Sequence, residues 1–180
     1  MELYEKYRPR RLPQLVGQSK AVAVVRGLAQ RPGGLGGRKF WVSGKSGQGK
    51  TSLARCIAGE IASGAAVEEY DAGAVTMADL GRIERSWRLY GLGKGGRAYI
   101  FNEAHGLRAD VVRRLLVMLE SVPSHVVVVF TTTADGKALF EDCQLDAGPL
   151  LSRCVSVSLT GQGFAPVAAR LVSKIAGREG

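Results

Sequence analysis

An α/β fold built on a parallel sheet is the architecture this sequence predicts, and three observations lead to it. Short apolar runs alternate with segments of helical period, the pattern of strands joined by crossover helices. His125-Val126-Val127-Val128-Val129-Phe130-Thr131 is apolar between its ends, as expected of a parallel strand covered on both faces. Between a predicted strand and a predicted helix, Gly44-Lys45-Ser46-Gly47-Gln48-Gly49-Lys50-Thr51 matches G-x-x-x-x-G-K-[ST], a loop whose backbone N–H groups wrap a phosphate chain. A nucleotide at the carboxyl ends of the strands is the expectation.

In chain order, residues 2–18 read as irregular, because Pro9 and Pro13 exclude a continuous helix. Ser19 caps a helix to about Gln30, with Val22, Val25, Arg26 and Ala29 at helical spacing. Pro32 to Gly37 breaks the chain before the first strand, Lys39 to Ser43. After the phosphate loop, Thr51 to Ala58 opens a helix whose positive end faces the phosphates. Ala65 to Tyr70 is the second strand. Thr76-Met77-Ala78-Asp79 has capping-box form, with Asp in place of Glu, and starts a helix to about Tyr90 that buries Leu80, Ile83 and Trp87. Arg97 to Asn102 is the third strand. A helix follows over Ala109–Ser121, with Val112, Leu115, Leu116 and Leu119 on its apolar face and Pro123 as its stop. The fourth strand is His125 to Thr131, then a loop and short helix run through Phe140. Cys154 to Leu159 alternates as a fifth strand, and a last helix begins near Gly163. These elements divide the chain into a nucleotide-binding core, 1–160, and the start of a helical lid or C-terminal helix, 161–180.

The chain has 180 residues and a formal charge of +9, which favours a polyanionic partner such as nucleic acid. Cys56, Cys143 and Cys154 form no C-x-x-C pair, so neither zinc nor a disulfide framework is expected. No apolar run approaches the ~20 residues of a membrane span, and the N-terminus lacks a signal-peptide core. A cytoplasmic protein is expected.

Each part of the phosphate loop has its chemistry. Lys50 reaches the β- and γ-phosphates and the Thr51 hydroxyl ligates Mg²⁺, with Ser52 beside it. The third strand ends in Asn102-Glu103, where a nucleotide hydrolase of this type places an acidic pair. Glu103 can orient or polarise water; Asn102 can accept from a metal-bound water but brings no charge, which predicts a weaker Mg²⁺ site. His105 reads as a hydrogen-bonding or packing residue rather than a base. Thr131-Thr132-Thr133 ends the fourth strand and offers hydroxyls to a γ-phosphate or to water.

Four motifs in order make the chain resemble the ATPase core of an AAA+ protein of the clamp-loader branch, whose members load DNA polymerase sliding clamps. Tyr4-Glu5-Lys6-Tyr7-Arg8-Pro9 with Leu15-Val16-Gly17-Gln18 is similar to that family's N-terminal signature. The phosphate loop is the second motif. Phe101-Asn102-Glu103-Ala104-His105 resembles its D-E-A-H form of the Walker B motif, with Asn first, and Ser152-Arg153-Cys154 its S-R-C motif.

The resemblance implies a three-layer α/β/α sandwich of strand order 5-1-4-3-2. It implies that ATP or ADP binds with Mg²⁺, and that ATP hydrolysis drives clamp loading in DNA replication. By the same resemblance Tyr7, Arg8, Pro9, Val16 and Gly17 neighbour the adenine, Thr132 or Thr133 is sensor 1, and Arg153 is an arginine finger acting on a neighbouring subunit. Implied partners are other AAA+ subunits, a sliding clamp, and double-stranded or primed DNA. Arg82, Arg85, Arg88, Arg108, Arg113 and Arg114, on the helices after strands two and three, are the candidates for DNA contact. Family members continue into a helical lid with a second sensor arginine and into a collar. Asn102 leaves a second reading open, a nucleotide-binding switch or scaffold subunit that hydrolyses weakly or not at all; DNA remodelling of another kind is a third.

Overall fold

The computed structural model describes residues 2–133, 148–161 and 164–179. Five strands, β1 (Lys39–Ser43), β2 (Val67–Asp71), β3 (Arg97–Asn102), β4 (Val126–Thr132) and β5 (Val155–Ser158), form one sheet in the order β2-β3-β4-β1-β5. All four pairings are parallel. This is the predicted 5-1-4-3-2 order read from the other edge. Every residue of β4 is buried, which accounts for its unbroken apolar run.

Strand alternation divides the core. Phe40, Val42, Ala98, Ile100, Val127 and Val129 face α2 (Ser19–Ala29) and α3 (Lys50–Ile61). Trp41, Tyr99, Phe101, Val126, Val128 and Phe130 face α4 (Met77–Ser86), α5 (Ala109–Met118) and α6 (Gly148–Ser152). The result is three layers, with β1 and β4 in the middle of the sheet. Because β1 is central, its carboxyl end delivers the phosphate loop to the middle of one rim.

Several boundaries differ from the sequence reading. The stretch 2–18 is not wholly irregular: it carries α1 (Leu3–Lys6) and a 3-10 turn at Leu12–Gln14. Gln14 Oε1 closes that turn by accepting from Arg10 N and Arg11 N at 2.8 and 3.1 Å, and Pro13 occupies an early position that needs no N–H. The cap of α2 is Gln18 rather than Ser19. Strand β2 starts at Val67 because Gly64–Ala66 forms a 3-10 turn. Helix α5 tightens into a 3-10 turn at Leu119–Ser121. The last helix, α7, spans Phe164–Glu179. The segment through Phe140, with Lys137 and Cys143, lies outside the described residues. Among the described residues no helix is long and apolar enough to cross a membrane.

Candidate active site

The loop leaves β1 at Ser43, whose Cα partners are Thr132 on β4 and Ser158 on β5. Gly44 N donates to Thr132 O at 3.2 Å, and Leu159 N donates to Ser43 O at 2.8 Å, so both neighbouring strands hold the exit. Gly44 admits no side chain: a Cβ there would lie 2.8 Å from Gln48 Oε1 and 2.9 Å from Leu159 Cβ. Gly49 caps α3 at φ 92°, a left-handed conformation that glycine adopts without strain.

Two side chains brace the loop from inside. Lys45 N donates to Gln48 Oε1 at 2.9 Å, and Lys50 Nζ donates to Lys45 O at 3.2 Å. Lys50, 6% exposed, therefore lies folded across the loop. Below, the buried Gln18 donates from Nε2 to Gln48 O at 3.3 Å and to Thr160 O at 3.1 Å, and accepts from Thr160 N at 3.2 Å. One amide thus ties the loop to the chain leaving β5.

On one side of the loop, side-chain oxygens of Thr51, Asn102 and Thr131 come together, donors of the type that suits a small hard cation. Thr51 Oγ1 lies 3.4 Å from Asn102 Oδ1, and Thr131 Oγ1 donates to the same oxygen at 3.1 Å. Asn102 Nδ2 points away, to Glu69 Oε2 at 3.4 Å. Glu103 takes the left-handed region at φ 53°, unusual for a residue with a side chain. Such a conformation costs of order 1–3 kcal/mol and is concentrated at functional sites. Its backbone N lies 3.4 Å from Thr131 Oγ1, and its carboxylate lies 3.4 Å from His105 Nδ1.

The loop, the start of α3 and Glu103 open on one cleft of about 610 Å³, within the size range of cofactor sites. Its walls include Tyr7, Arg8 and Pro9 on one side, Ser46, Gly47, Gly49, Lys50, Thr51 and Ser52 below, and Glu103 at the end. Leu171 and Ile175 of α7 form the outer wall. Helix α7 is fastened there by Glu179 Oε1, which accepts from Lys6 Nζ at 2.6 Å and Tyr7 Oη at 2.5 Å. Those bonds hold the Glu179 carboxyl below its ordinary pKa and raise those of Lys6 and Tyr7. Behind Asn102, Arg55 grips Glu69 with two nitrogens and reaches Glu5 at 3.4 Å. The bond to Glu69 is the chief cause that raises the Arg55 pKa.

Other sequence-selected residues lie elsewhere. Val16 and Gly17 stand outside the lining of this cleft, as do Asn102, Thr132 and Thr133. Alternation sets Thr131 on the α3 face with Val127 and Val129, and Thr132 on the other with Val128 and Phe130. Thr132 is fully buried and Thr133 is exposed just past β4. The hydroxyl touching Asn102 therefore belongs to Thr131, the first of the run. Arg153 precedes β5, whose Val155 pairs with Phe40 near the start of β1, so it sits at the far end of the sheet from Gly44. Its guanidinium bonds to Glu120 Oε1 at 2.6 Å and Pro149 O at 2.8 Å. Of the six arginines on or beside α4 and α5, with Arg88 lying just past the end of α4, Arg82, Arg108 and Arg114 are in ion pairs with acidic neighbours. Arg85, Arg88 and Arg113 are exposed.

Sequence reasoning passed over Glu69 and gave Gln18 no role of its own. Glu69 carried a signal in principle, a carboxylate in β2 two residues before the position that pairs with Asn102.

No family model and no curated protein matches this sequence. Solved structures do match. The RuvB Holliday junction branch migration motor of Thermotoga maritima superposes with a TM-score of 0.65 at 22% identity, over 85% of this chain and 48% of that one. Its R170A form superposes at 0.66 and 22% identity, over 94% and 55%. A DNA polymerase III gamma subunit-related protein of the same organism gives 0.60 at 14% identity, over 78% and 45%. The chain has the P-loop α/β fold of these proteins. It spans about half the length of the RuvB chains.

Proposed function

We propose that this chain is the ATP-binding core of an AAA+ ATPase acting on DNA, most similar in its site to clamp-loader subunits, in which ATP hydrolysis drives sliding-clamp loading. The observation that carries the reading is the convergence of Tyr7-Arg8-Pro9, the loop at 44–51 and Glu103 on one cleft. Adenine lies toward Tyr7 and Pro9, while the loop N–H groups and the start of α3 hold the phosphates. Lys50 turns from Lys45 O to the β- and γ-phosphates. Thr51 and Asn102 would hold Mg²⁺, which when bound would neutralise charge on the phosphate oxygens. Glu103 orients the attacking water and takes its proton. Arg153 serves a neighbouring subunit, which its distance from its own loop favours.

Asn102 favours a second reading, a nucleotide-binding switch or scaffold subunit with little turnover. The likeness to RuvB favours a third, in which the same site drives remodelling of branched DNA. One set of experiments separates them. By calorimetry the chain binds ATP and Lys50→Ala does not; equal affinity in both removes the phosphate-loop assignment. ATPase assays with and without primed DNA, on the unaltered chain and on Asn102→Asp, give turnover if the chain is an enzyme. Negligible rates in both, with ATP binding retained, establish the silent subunit instead. Capture by a sliding clamp supports the loader reading, and preferential binding to four-way junctions supports the remodelling one.

A further inference from the structure

We propose that Glu69 is a positioning residue for the metal side of this site, fixing the orientation of the Asn102 amide and lending the negative charge that Asn102 lacks. The inference rests on the nucleotide reading of the cleft. An asparagine presents two ends of nearly equal shape and opposite chemistry, so its usefulness beside a cation depends on which end faces it. Here Oδ1 faces Thr51 at 3.4 Å and Thr131 at 3.1 Å, while Nδ2 faces Glu69 at 3.4 Å. The two hydroxyls can donate or accept and do not choose between the ends. A carboxylate only accepts, so a flipped amide would set Oδ1 against Glu69 with no proton between them. At 3.4 Å the contact is long, and its orienting effect is electrostatic.

Glu69 is itself held in place. Arg55 clasps it with Nε on one oxygen and Nη2 on the other, the two-pronged geometry that fixes a carboxylate in direction as well as in position. The same guanidinium lies 3.4 Å from Glu5 of α1. Glu5 is paired in turn with Arg8 at 3.1 Å, so the Glu5–Arg8–Arg55–Glu69 cluster is formally neutral, and what faces the amide is the local charge of the Glu69 carboxylate. An aspartate at 102 would bring two carboxylates together at this point, each opposing the other's charge. Asn102 and Glu69 are therefore complementary: the carboxylate stands on β2, one strand over from the position that carries the amide.

The test is calorimetry of ATP binding in EDTA and in saturating Mg²⁺, on the unaltered chain, Glu69→Ala, Glu69→Gln, Asn102→Asp and the double variant Asn102→Asp/Glu69→Gln. Groups that orient a metal ligand are worth ~10–100-fold in metal affinity, so Glu69→Ala is expected to lose about tenfold of the Mg²⁺-dependent gain, with its affinity in EDTA within about twofold of the unaltered chain. Glu69→Gln keeps the shape and an acceptor but not the charge, falls between, and serves if the alanine variant does not fold. In Asn102→Asp the charge stands at position 102 itself, so adding Glu69→Gln there is expected to lower the Mg²⁺ gain by less than Glu69→Gln does in the unaltered chain. An unchanged Mg²⁺ gain in both Glu69 variants overturns the proposal, as does an equal loss from Glu69→Gln in the unaltered chain and in Asn102→Asp. ATP binding that Mg²⁺ does not strengthen also overturns it while leaving the nucleotide reading intact; no ATP binding in either buffer overturns the nucleotide reading itself.

Discussion

Gln18 shows how much of the site depends on a side chain that touches no phosphate. Its amide is buried and makes three hydrogen bonds, to Gln48 O, Thr160 O and Thr160 N. Replacing it with alanine takes the donor from the buried Gln48 carbonyl, at about 1–3 kcal/mol for an unsatisfied group, while the exposed Thr160 can turn to water. Gln18→Ala is therefore expected to lower the urea midpoint and to weaken ATP binding through the loop. A variant with unchanged midpoint and affinity would show that water replaces the amide. The left-handed Glu103 carries a different lesson. Its conformation is set by β3 ending at Asn102 and by the Gly106 N bond to Glu103 O at 2.8 Å, a tight turn that aims the carboxylate into the cleft. Nothing in the residue type Glu foretells a positive φ.

Among the elements, α4 is where local signals worked best and then stopped. The Thr76 cap forms as a reciprocal pair: Asp79 N donates to Thr76 Oγ1 at 3.2 Å, and Thr76 N donates to Asp79 Oδ2 at 3.0 Å. Thr76→Ala is expected to cost about 1 kcal/mol, read as a lower denaturation midpoint with nucleotide affinity unchanged. The other end came earlier than periodicity suggests, at Ser86 rather than Tyr90. Ser86 Oγ donates back to Ile83 O at 2.6 Å and accepts from Tyr99 Oη at 2.5 Å, a side-chain bond that competes with the helix backbone. Trp87 still reaches the core, as its spacing predicts. The second half of that arrangement depends on a tyrosine from another strand, which no local pattern contains.

For the molecule as a whole, the sheet order separates the two ends of the site. Arg153 and the loop at 44–51 occupy opposite ends of the β1–β5 pair, so an Arg153 that acts on phosphate acts on another subunit's. Its bond to Glu120 must then be given up on assembly. Arg153→Ala is expected to leave ATP affinity of the isolated chain unchanged and to lower turnover only in an assembled form, by roughly 10³–10⁵ if it stabilises transition-state charge as such fingers do. A loss of affinity in the isolated chain would show that Arg153 acts within its own subunit.

The sequence by itself determined the parallel α/β class, the strand count and the phosphate loop, because each rests on local chemistry: period, capping, and glycines where backbone must come close. It also marked Asn102 as the place where the metal side departs from an acidic pair. Only the tertiary structure decided which hydroxyl of the Thr run meets Asn102, that Gln18 clamps the loop, and that Arg55 and Glu69 stand behind the amide. The physical reason is common to all three. Each contact joins strands or loops far apart in the chain, and side-chain direction there follows from strand register and crossover, which are set by packing of the whole sheet.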